Sequence, residues 1–133
     1  MHALFEKADR LSYVAIGAAI EVHRLKGPGL IESIYHKCMG RELSLRNLAT
    51  TNQQLVQIEY KGLVFEEPLR CDMLVEECLL LELKSVQEII PVHKAQLLSY
   101  MKLLNIPLGL IINFHELKVT DGIVRMILPG ANQ

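Results

Sequence analysis

Asp72, Glu82 and Lys84 are the residues whose types and spacing suit them to work together chemically. They lie in Arg70-Cys71-Asp72-Met73-Leu74-Val75-Glu76 and, past a turn expected at Glu76-Glu77, in Leu79-Leu80-Leu81-Glu82-Leu83-Lys84. Read as consecutive strands, these stretches place an aspartate on one and a Glu-x-Lys pair on its neighbour. Leu79, Leu81 and Leu83 fill the opposite face of the second strand, because side chains alternate along a strand. Two carboxylates about 4 Å apart repel by roughly 4 kcal/mol at an effective dielectric of ~20, so a fold that holds them together usually supplies a cation. Mg²⁺ or Mn²⁺ fits, since hard ions take carboxylate, water and phosphate oxygens. Lys84 is then placed to orient or activate a water on the ion. The plainer alternative is an exposed-strand ion pair between Glu82 and Lys84, worth well under about 1 kcal/mol.

The tripeptide alone carries little information, because Glu-x-Lys recurs at Glu59-Tyr60-Lys61 and Glu116-Leu117-Lys118. The first of these runs into a hairpin turn at Lys61-Gly62, and the second lies in a polar link after Asn113. Only the middle copy ends an apolar strand, follows a strand bearing an aspartate and precedes an amphipathic helix.

The elements that must position these residues follow from periodicity. Leu11, Val14, Ala15, Ala18, Val22 and Leu25 predict an amphipathic helix beginning near residue 9 and stopping at Gly27-Pro28-Gly29. A second helix is expected from about Leu30 to Arg46, ending near Asn47. Leu55, Ile58 and Tyr60 suggest a strand, Lys61-Gly62 its turn, and Leu63-Val64-Phe65 its partner. After the Asp72 and Glu82 strands, Pro91 suits the first turn of a helix with Ala95, Leu98, Met101 and Leu104 on its apolar side. Leu108 to Phe114 reads as a strand covered on both faces, and Ile123 to Leu128 as a last strand after Asp121-Gly122. The expected order is α-α-β-β-β-β-α-β-β. A strand–helix–strand crossover from Glu82 to Ile111 implies an α/β fold, a mixed sheet with helices packed on it.

Further polar groups border this frame. His93, Gln96 and Tyr100 share one helix face and so could meet substrate phosphate or Lys84. Tyr100 equally suits a core-edge position with its hydroxyl outward, and His93 a polar helix terminus. Glu32 and Tyr35 are three apart just after Gly29; Glu32 either complements the helix dipole or forms a third carboxylate bordering the metal site.

Half of the 133 residues are apolar, which suits one domain over residues 1–133 with a real core. No apolar run approaches a membrane span and the N-terminus lacks a signal-peptide layout, so no membrane partner and a cytoplasmic location are expected. Cys38, Cys71 and Cys78 form no Cys-x-x-Cys, which supports neither zinc nor a disulfide framework. A formal net charge of −1 argues against grip on nucleic acid by bulk electrostatics but allows a local basic groove. Basic residues concentrate at Arg24, Lys26, Lys37, Arg41 and Arg46, a distribution that a solvated helical face explains equally well.

Gly29-Leu30-Ile31-Glu32-Ser33-Ile34-Tyr35 resembles the motif from which the GxxExxY proteins take their name. The similarity continues through Glu21-Val22-His23, Tyr60-Lys61-Gly62, Arg70 to Glu76, Glu82-Leu83-Lys84, His93 to Tyr100 and Gly109 to Phe114, nearly the whole chain. That family is placed in the PD-(D/E)XK nuclease-like superfamily, whose restriction-endonuclease-like core is a mixed sheet flanked by helices. The resemblance implies Asp72 and Glu82 as metal ligands, the Leu83 carbonyl as another, and Lys84 as the catalytic lysine. Gln96 and Tyr100 match the Gln-x-x-x-Tyr of RecB-type and phage lambda exonuclease-type nucleases, and Glu32 the acidic residue many members carry on an early helix. Cys71 stands where the motif has proline.

The expectation is a Mg²⁺- or Mn²⁺-dependent nuclease acting on nucleic acid, DNA in preference, with Asp72, Glu82, Lys84, Gln96 and Tyr100 in the catalytic machinery. A homodimer is expected because a small monomer has little surface for embracing a duplex. The alternative is a binding or assembly module that keeps the nuclease fold without turnover.

Overall fold

The apolar repeat of the first helix and the leucine runs of the central strands meet in one layered structure. The computed structural model describes residues 1–133. Its elements are α1 (Phe5–Lys26), α2 (Glu32–Leu45), β1 (Thr50–Tyr60), β2 (Leu63–Val75), β3 (Leu79–Lys84), α3 (Pro91–Leu104), β4 (Leu108–Asn113), a 3-10 turn (Val119–Gly122) and β5 (Ile123–Ile127). The sheet order is β1-β2-β3-β4-β5. β3 and β4 are parallel, with Glu82 opposite Ile111 and Lys84 opposite Asn113, and the other neighbours are antiparallel. The mixed sheet and its crossover through α3 are as expected from the sequence.

Helices cover both faces. Leu79, Leu81, Leu83, Leu108, Leu110 and Ile112 share a core with α1 and α2. Leu74, Leu80 and Ile111 pack under Leu97 and Met101 of α3. Burial on both sides explains why β3 and β4 read as near-continuous apolar runs. Glu82 interrupts the apolar sequence of β3 and remains only 6% exposed. Gly109 lets α3 approach β4 closely, since a Cβ there would lie 2.8 Å from the Met101 sulfur.

Four expectations need correction. Leu63-Val64-Phe65 and the Asp72 stretch are one 13-residue strand, β2, rather than two. Pro68 does not divide it because this half of β2 pairs only with β1, leaving an edge that tolerates a missing N–H. The first helix begins at Phe5, earlier than residue 9, and Leu25 near its end is 62% exposed. On α3 the buried residues are Leu97 and Met101 while Ala95 is exposed, so the core stripe is rotated from the expected one. α3 has apolar residues on most of its circumference, and such a pattern does not define a single inward face.

Candidate active site

The position of Asp72 follows from a fault in the sheet. β1 and β2 pair Thr51 with Leu74 and then Gln53 with Arg70, so Asn52 alone spans Cys71, Asp72 and Met73. On the other side, the β2–β3 ladder runs from Val75–Leu79 to Met73–Leu81 and stops one residue short of Asp72 and Glu82. Bulges of this kind re-aim side chains and end pairing beside functional sites. Asp72 makes its bonds outside both ladders. Its Oδ2 accepts a hydrogen bond from the Leu83 N–H at 2.7 Å. Its carbonyl oxygen accepts one from His36 Nε2, also at 2.7 Å, which puts the imidazole proton on Nε2.

Glu82 is the electrostatically costly member. Its Oε1 is buried and has no hydrogen-bond partner. Burial first, and the neighbouring Asp72 charge second, push its carboxyl up to about 7, with Lys84 offsetting part of the effect. An unpartnered buried oxygen beside a second carboxylate fits a hard divalent cation, which would satisfy the oxygen and reverse the repulsion. Asp72 and Glu82, with backbone oxygen at Leu83, are the groups that could hold it. No group of three or more His, Cys, Asp or Glu side chains is arranged to close around a metal by itself. The Cys71 thiol is pushed up to about 11, by burial and then by the Glu82 and Asp72 charges, and so remains a protonated filler.

Glu32 enters from α2. It shares a cavity of about 250 Å³ with Ser33, His36, Asp72 and Leu83, and its Oε1 accepts a 3.3 Å bond from the Ser85 N–H. It therefore faces the exit of β3 across the same cavity as Asp72 but does not complete a three-carboxylate cluster. Tyr35 has a structural role in presenting it. Its hydroxyl donates to the Gly27 carbonyl and accepts from the Leu30 N–H, and its ring stacks on Phe114 at 4.4 Å. This clasps the Gly27–Leu30 turn, where Gly27 and Gly29 adopt φ of 79° and 83°, and so fixes where α2 begins.

Lys84 is half-buried beside Glu82. The chain beyond it is held by Asn113, almost fully buried, whose amide bonds the N–H and carbonyl of Val86 at 3.1 and 2.9 Å. Gln96 and Tyr100 make no hydrogen bond to Asp72, Glu82 or Lys84; the exposed Gln96 amide donates to the Tyr100 hydroxyl at 3.4 Å. Tyr100 packs its ring against the α3 core. His93 accepts a bond from the Ile90 N–H at 3.1 Å, the helix-terminus role. Sequence reasoning missed His36 and Asn113. His36 lies four residues after Glu32 on one helix face, and Asn113 is the lone polar residue ending an apolar strand, so both carried a usable signal.

A sequence model of the PD-(D/E)XK nuclease superfamily matches residues 9–126. The chain belongs to that superfamily. The match takes in Glu32, Asp72, Glu82, Lys84, Gln96 and Tyr100, and the α/β architecture agrees with the PD-(D/E)XK nuclease fold. PD-(D/E)XK nucleases hydrolyse phosphodiester bonds and typically depend on metal. The crystal structure of SSO0001 is similar at 24% identity and TM-score 0.49, over 73% of this chain and 49% of that one. The chain thus spans about half the length of that structure. No curated protein matches it. No helix is long and apolar enough to cross a membrane.

Proposed function

We propose that this PD-(D/E)XK chain is a Mg²⁺- or Mn²⁺-dependent nuclease of the GxxExxY group that hydrolyses phosphodiester bonds in nucleic acid, DNA in preference. The observation that carries the reading is the buried, unpartnered Glu82 oxygen beside Asp72 at a break in the sheet. Folds rarely keep such an atom without a partner to complete it. Asp72, Glu82 and the Leu83 carbonyl would hold the ion, with Glu32 reaching the same cavity from α2. When bound, the ion supplies a Lewis acid and a more acidic water.

The chain's own groups do the rest. The Leu83 N–H holds Asp72 in place, and His36 holds the backbone of the bulge. Lys84, beside Glu82, orients the attacking water and meets negative charge developing on the phosphate. Gln96 and Tyr100, joined to each other, orient substrate at the margin of the site.

A second reading, a binding module without turnover, is favoured by the lack of any hydrogen bond from Gln96 or Tyr100 to Asp72, Glu82 or Lys84. Cleavage decides between them. Labelled single-stranded DNA, duplex DNA and RNA are incubated with Mg²⁺ or Mn²⁺ and wild-type, Asp72→Ala or Lys84→Ala protein. The nuclease reading expects cleavage by the wild type alone; no cleavage by any, or equal cleavage by all, overturns it.

A further inference from the structure

The basic residues of the N-terminal helices are not equivalent. Arg24 is paired with Glu21 and Arg46 with Glu42, and the remaining ion pair in the molecule joins Arg125 to Asp9. Lys37 and Arg41 have no ion pair, are exposed, and stand one helical turn apart on α2. Both line an open depression of about 380 Å³ that Asp72, Thr50, Thr51 and Asn52 also line. Asn52 and Asp72 also line a second depression of about 420 Å³, shared with Gln53 and with Arg70, which is likewise exposed and without an ion pair. Asp72 is the only carboxylate lining either one.

Gly40 supports the same conclusion. A glycine within a helix costs about 0.5–1 kcal/mol relative to alanine. A Cβ at Gly40 would make only an ordinary 3.5 Å contact with Met73, so packing does not demand the glycine. Gly40 lines the same depression as Lys37 and Arg41 and adds no side chain to it.

We propose that Lys37, Arg41 and Arg70 form a phosphate-binding track that passes over Asp72 and holds the backbone of a nucleic acid strand on either side of the scissile phosphate. The ligand class is a polyanionic phosphodiester chain, and the proposal rests on the nuclease reading for its orientation toward Asp72 but not for binding itself. Unpaired Lys and Arg around an acidic centre provide attraction where a chain of net charge −1 provides none overall. Thr50, Thr51 and Asn52 add side-chain donors of the kind that contact phosphate oxygens.

The test is fluorescence anisotropy with fluorescein-labelled single-stranded and duplex DNA of about 20 nucleotides, in EDTA, from about 50 to 200 mM salt. Each phosphate contact contributes ~0.7–0.9 to the slope of log K against log salt. Lys37→Ala/Arg41→Ala should therefore lower the slope by about 1.5 and weaken binding roughly tenfold, and Arg70→Ala should lower it by about 0.8. Lys102→Ala/Lys118→Ala, which removes two exposed cations elsewhere, should leave both quantities unchanged. Wild-type affinity and slope in the track variants, or no binding by the wild type to either DNA, overturns the track. Binding that depends on the track in a protein that never cleaves DNA supports the track and overturns the nuclease reading. Cleavage with track-independent binding does the reverse.

Discussion

The carboxylate pair and the Gln–Tyr pair are both short polar motifs, yet the molecule treats them differently. Asp72 and Glu82 lie where β2 and β3 part, with the Asp72 carboxyl tied to the Leu83 N–H and one buried Glu82 oxygen left without a partner. Gln96, exposed on α3, donates one hydrogen bond to the half-buried Tyr100, and water can replace it. Only the first arrangement opposes the electrostatic preference of its own groups, so only the first requires a further partner. Functional demand is therefore marked less by which residues a motif contains than by whether the fold leaves them satisfied.

The largest effects should fall on the carboxylate pair and its lysine. Asp72→Ala and Lys84→Ala should each lower the cleavage rate by at least about 10²-fold, since each removes charge stabilisation at the reacting phosphate. Unchanged circular dichroism would confirm that the fold survives, and chelation of divalent metal should match the loss.

Next comes pH. In metal-free protein the Glu82 carboxyl is raised from 4.5 to about 7. A raised folded-state value means that this group stabilises the fold fully below about pH 4.5 and that the contribution is lost as pH rises through 7. The loss is on the order of 3 kcal/mol. Glu82→Gln should flatten the profile, so that the variant gains on the wild type in urea melts from pH 5 to 8 in EDTA; parallel profiles would contradict the burial of Glu82 charge.

Smaller effects belong to the frame. Tyr35→Phe keeps the ring on Phe114 but strands the Leu30 N–H and Gly27 carbonyl, costing about 1–3 kcal/mol in urea unfolding. The smallest belong to the second pair: Gln96→Ala should change kcat only a few-fold and act mainly on KM, as expected of a group that touches substrate but no metal ligand. A kcat loss as large as that of Asp72→Ala would erase the distinction between the two pairs.

Much of this was legible in the sequence, and the limits have physical causes. The alternation Leu79-x-Leu81-x-Leu83 assigned Glu82 and Lys84 to one face, and the crossover from Glu82 to Ile111 implied the mixed sheet in which β3 and β4 lie parallel. The bulge opposite Asn52 was not legible, because an extra stretch on one strand depends on the register of its partner. The facing of α3 was not legible either, since apolar residues on most of its circumference leave its rotation to tertiary packing. Glu32 and Tyr35 were visible as a motif, but the clasp of Tyr35 on Gly27 and Leu30 depends on a hydroxyl reaching back across a turn. His36 acts on Asp72 through a carbonyl 36 residues away in sequence, a contact that local spacing does not encode.

The central claim is that Asp72 and Glu82 are held together to bind a divalent cation. Its most direct test is Mn²⁺ uptake at pH 8, measured by calorimetry and by loss of the free-ion electron paramagnetic resonance signal, for wild type, Asp72→Ala and Glu82→Gln. The account predicts Mn²⁺ binding by the wild type that both substitutions abolish. Uptake that survives both, or no uptake by the wild type, would contradict it.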